Sequence, residues 1–158
     1  MKPITSSIEK ISLKAGVITF IALIAYFFVM NLFGLATVLA FRYVNFIILL
    51  VGIYYAINQI KHESELNPED FYLKGMAIGV VTSTIAIFLF SFSVSFYLAY
   101  FNPGFLRYIQ TTVSVGTYIN GLSVFLILTL EGGASALIIV FCLMQYLKSQ
   151  VPSHAGSE

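Results

Sequence analysis

Charge is what this sequence has least of. Only 9% of its 158 residues are charged, against roughly 25% in an ordinary soluble domain, while 59% are hydrophobic. A soluble globule of that composition would expose contiguous apolar patches that soluble monomers rarely tolerate. Cysteine is nearly absent too. The single Cys142 has no partner for an intramolecular disulfide and no zinc-ligand spacing around it, so it reads as a packing residue. With a net charge of +1 and no basic tail or arginine-rich stripe, nucleic acid is not an expected partner. Catalytic signatures are missing as well: no His/Asp/Glu cluster with metal spacing, no Gly-x-Ser-x-Gly elbow and no phosphate-cradling loop. Neither an enzyme nor a cofactor is expected.

What the chain has in abundance is uninterrupted apolar sequence. Residues 15 to 60 carry one charge, Arg42. A span needs about 20 apolar residues to cross roughly 30 Å of hydrocarbon. This stretch therefore predicts two helices, 15–38 and 43–60, turning at Arg42, where Tyr43 and Asn45 also belong at an interface. The apolar run entering the first helix is too long for a signal peptide despite the small residues Val38-Leu39-Ala40, so a retained span is expected. Before it, Ser6-x-x-Glu9 has the form of a capping box. That start predicts an amphipathic lead-in, along the surface or continuous with the span.

The polar loop KHESELNPEDF (61–71) ends in Asn67-Pro68-Glu69-Asp70, a helix-start pattern with Asn at the cap, Pro first and acids in the first turn. A third helix, 68–101, is expected, terminated by Asn102-Pro103-Gly104. Residues 105–117 mix an apolar face (Leu106, Ile109, Val113) with Arg107 and Gln110, which suits a helix in the interface plane. A fourth span, 118–148, and a polar tail, 149–158, complete one domain over 1–148. The predicted fold is thus an all-α polytopic membrane protein with four transmembrane helices. Lys2, Lys10, Lys14, Lys61, Lys74 and Lys148 fall on one side of it and Arg42 and Arg107 on the other, which predicts both termini in the cytoplasm.

Two features stand out inside the spans. Gly75-x-x-x-Gly79, continued by Ser83 and Ala86, offers the small-residue face that lets helices approach closely in lipid, within the chain or in a homodimer. The hydroxyls of Thr82, Ser83, Thr84, Ser91, Ser93 and Ser95 are expected to bond back to their own helix carbonyls. The second feature is Glu131, an acid inside LILTLEGGASALIIV (126–140). A charge at the centre of a span costs about 2.5–3.5 kcal/mol on insertion scales unless paired. Arg42 or Arg107 can pair with it; otherwise it is a binding group, with Arg42, Asn31 and Ser135 as companions.

GVITFIAL entering helix 1, VGIYYAINQIKHESE closing helix 2, FYLKGMAIGVVTS opening helix 3, and the Asn-Pro after it together resemble a family of small bacterial four-helix membrane proteins classed as a domain of unknown function. The resemblance spans roughly residues 10 to 105. It implies four spans in a bacterial inner membrane and no particular activity. Two functions then compete. One is an accessory subunit that packs through helix 3 in a homo-oligomer or against another membrane protein. The other is a small oligomeric carrier or channel using Glu131 as its proton- or cation-binding carboxylate.

Overall fold

A computed structural model describes residues 4–34, 42–60, 68–112 and 120–148. These residues form α1 (Ile4–Leu32), α2 (Arg42–Asn58), α3 (Pro68–Tyr100), α4 (Pro103–Thr112) and α5 (Gly121–Lys148). Among the described residues there is no strand. Three helical stretches, Ile8–Leu32, Asp70–Tyr100 and Gly121–Lys148, are long and apolar enough to cross a membrane. α2 is apolar but shorter, at 17 residues.

Local chemistry sets the boundaries. α1 starts at Ile4, so Ser6 lies inside it and does not cap it, and the lead-in runs straight into the apolar stretch. It ends at Leu32, with Gly34 in the left-handed region (φ 69°) that glycine reaches without a Cβ penalty. Pro68 and Pro103 are the first residues of α3 and α4, where a missing N–H costs nothing. Asn120 caps α5, its Oδ1 accepting from the Ser123 N–H at 2.9 Å. Of the segment 105–117 expected to lie in the interface plane, the described part belongs to a ten-residue helix, Pro103–Thr112, that carries Arg107. Expected positions 35–38, Asn67, 113–119 and the tail 149–158 fall outside the described residues.

Glycines fix the register between helices. A Cβ on Gly75 would sit 2.5 Å from Met144 Sδ, and one on Gly79 would sit 2.9 Å from a Val140 methyl. Gly132 meets Ile87 in the same way, so α3 and α5 run antiparallel with rising numbers on one matching falling numbers on the other. Gly52 abuts Thr19, and Gly79 faces Ile53, which sets α2 antiparallel to both α1 and α3. Gly16 lies against Ile85, and Asn31 donates to the Tyr97 hydroxyl at 2.8 Å, so α1 and α3 are parallel. Lys74 and Lys148 consequently lie toward one end of the bundle and Arg107 toward the other, while Lys14, two residues before Gly16, lies near the middle of α3.

The two ends are packed differently. The larger core cluster includes Ile53, Ile57, Phe71, Ile78, Val140 and Met144, and fills the half nearer the lysines. The half nearer Arg107 holds a smaller cluster of Val94, Leu98 and Val124, tied by edge-on contacts of Phe27 with Phe90 and Tyr97. The length of α2 explains the contrast. From the Ile53–Gly79 contact, α2 extends eleven residues to Arg42, which brings its start level with Phe90. α3 continues ten residues further, about 15 Å at 1.5 Å per residue. Past that level the described bundle has three helices, not four.

Two sequence expectations are corrected here. Cys142 is exposed on α5 and is not a core packing residue. Not every hydroxyl of α3 bonds back to its own helix. Ser83 and Thr84 donate to the Val80 carbonyl, but Ser95 donates across to the Gly121 carbonyl of α5. Thr82 and Ser91 are fully buried with no partner.

Candidate functional site

Where α2 stops, a cleft of about 560 Å³ opens between α1, α2, α3 and α5. Its walls are largely apolar: Leu23, Phe46, Leu49, Ile87, Phe90 and Leu128. Into it α5 brings Glu131, Gly132 and Ser135, and α2 brings Tyr43 and Asn45. The helical spacing of Glu131, Gly132 and Ser135 places all three on one face. Gly132 matters because its missing side chain lets Ile87 close the floor, with a Cγ2 only 2.9 Å from where a Cβ would stand.

The polar groups have a common character. The Ser135 hydroxyl donates to the Glu131 carbonyl at 2.8 Å, which commits its hydrogen and leaves its oxygen lone pairs available. Asn45 Oδ1 is buried without a hydrogen-bond partner. The Glu131 side chain is exposed, toward the cleft it lines, and its carboxylate can only accept when ionised. Among the described residues the cleft thus sets a few polar groups in apolar walls.

The N-terminal end of α2 lies at this level. By the Ile87–Gly132 contact, Glu131 is level with Phe88, two residues below the level of Arg42. The positive dipole end of α2 thus lies near the depth of the acid, a placement that favours negative charge.

Of the residues singled out from sequence, the structure brings Glu131 and Ser135 together in the cleft. Arg42 is the first residue of α2, next to the cleft residue Tyr43. Asn31 lies elsewhere, bonded to Tyr97 near the Arg107 end. Gly75 and Gly79 face Met144 and Val140 of the same chain, and Ser83 and Ala86 are buried. Asn45 was legible only as a turn marker; its place one helical turn into α2 was the available signal. Among the described residues no group of three His, Cys, Asp or Glu side chains could hold a metal ion. Comparison with protein family models, curated proteins and solved structures finds no match.

Proposed function

We propose that this chain is a small multi-pass membrane protein of a bacterial inner membrane that binds a cation at Glu131, as the binding step of a carrier. In this reading α2 is the fourth span and both termini are cytoplasmic. The position of Lys74 and Lys148 toward one end supports that orientation, since positive residues stay on the cytoplasmic side. The topology is tested by single cysteines on a Cys142→Ala background. Asp70→Cys should react with an impermeant maleimide only from the cytoplasmic side, and Gly104→Cys only from the other. Labelling of both from the same side removes the four-span arrangement.

The observation that carries the cation reading is an acid lining a largely apolar cleft, beside the buried Asn45 Oδ1, between helices long and apolar enough to cross a membrane. An ionisable group in a span usually marks such a site. The hydrophobic carbodiimide dicyclohexylcarbodiimide, which modifies carboxyl groups in apolar surroundings, tests it. Modification should map to Glu131 and be lost in Glu131→Gln. Sodium or tetraethylammonium at about ten times its dissociation constant should slow the reaction roughly tenfold by occupancy. A rate indifferent to every cation tried would sink the reading.

The accessory-subunit reading keeps one specific support. The small-residue stripe of α3 is occupied within the chain, but the helix also exposes Phe88, Phe92, Phe96 and Tyr100 at four-residue spacing. A protein partner would meet α3 on that aromatic stripe, not through Gly75 and Gly79.

A further inference from the structure

We draw no further inference here: the strongest candidate, the exposed aromatic stripe of Phe88, Phe92, Phe96 and Tyr100 along α3, carries nothing because nothing in the structure shows whether lipid, a second copy of the chain or another protein covers it.

Discussion

Gly52→Ala in α2 is expected to destabilise the bundle by about 1–3 kcal/mol or more, the range for overpacking a filled interface. The added Cβ would stand 2.1 Å from the Thr19 hydroxyl oxygen, 2.7 Å from its methyl and 2.9 Å from its own Cβ. Rotating Thr19 vacates at most one of the first two positions, because its Cβ holds two heavy atoms in three staggered sites, and it leaves the third contact, because a Cβ moves only with its backbone. Thr19 is also buried, with its hydroxyl donating to the Ala15 carbonyl at 2.8 Å, so rotation costs that bond as well. Alanine gains about 1 kcal/mol over glycine in a helix interior, which the clash must exceed. At Gly133 nothing lies within 4 Å of the added carbon, so Gly133→Ala should keep only the gain and stabilise the protein by about 0.5–1 kcal/mol. Unfolding in mixed phosphocholine–dodecyl sulfate micelles measures both variants. Equal stability for Gly52→Ala and the parent protein would mean that α1 and α2 do not meet at Thr19.

The second large effect belongs to the lysine end. Phe71 is 2% exposed and belongs to the larger core cluster with Ile60, Met144 and Leu147. Phe71→Ala should cost about 3 kcal/mol, the lower part of the range for such truncations in soluble proteins. The lower part is appropriate because lipid is itself apolar. Part of the transfer term disappears, while the cavity and its lost dispersion contacts remain. Phe92 has the same side chain at 59% exposure on the aromatic stripe of α3. If lipid covers that stripe, Phe92→Ala should change stability by less than about 0.5 kcal/mol. If Phe88→Ala and Phe92→Ala instead dissociate an oligomer in the bilayer, the stripe is a protein interface and the accessory-subunit reading regains ground.

Helix placement was legible because its signals are local. Pro68 opens α3 as its fixed φ and missing N–H predict. Gly34, by contrast, inside the expected first helix of 15–38, follows the end of α1 at Leu32, and Pro103, expected only as a stop, opens α4. Partners and depth were not legible, because they depend on how far each helix slides along its neighbour. Gly75 and Gly79 announce a close approach without saying to what, and the Met144 and Val140 side chains that fill it are more than sixty residues away. Asn31 illustrates the reverse: a lone amide in an apolar helix is expected to bond to a neighbouring helix, as it does to Tyr97, but nothing local says to which. The cleft itself was invisible for a plainer reason. Among the described residues it lies beside the start of α2, and only the register between α2, α3 and α5 shows at which depth that start falls.

The depth of Glu131 also has an electrical meaning. The acid lies ten residues from the start of α5 and seventeen from its end, about 15 Å along a helix of roughly 42 Å. Moving one charge across a full membrane potential of 100 mV is worth about 2.3 kcal/mol. A cation that reaches Glu131 from the Arg107 end therefore crosses roughly a third of the voltage drop, which amounts to about 0.8 kcal/mol, or near fourfold in affinity. On the proposed orientation, with the lysine end in a negative interior, discharging the membrane would weaken cation binding at the site about fourfold.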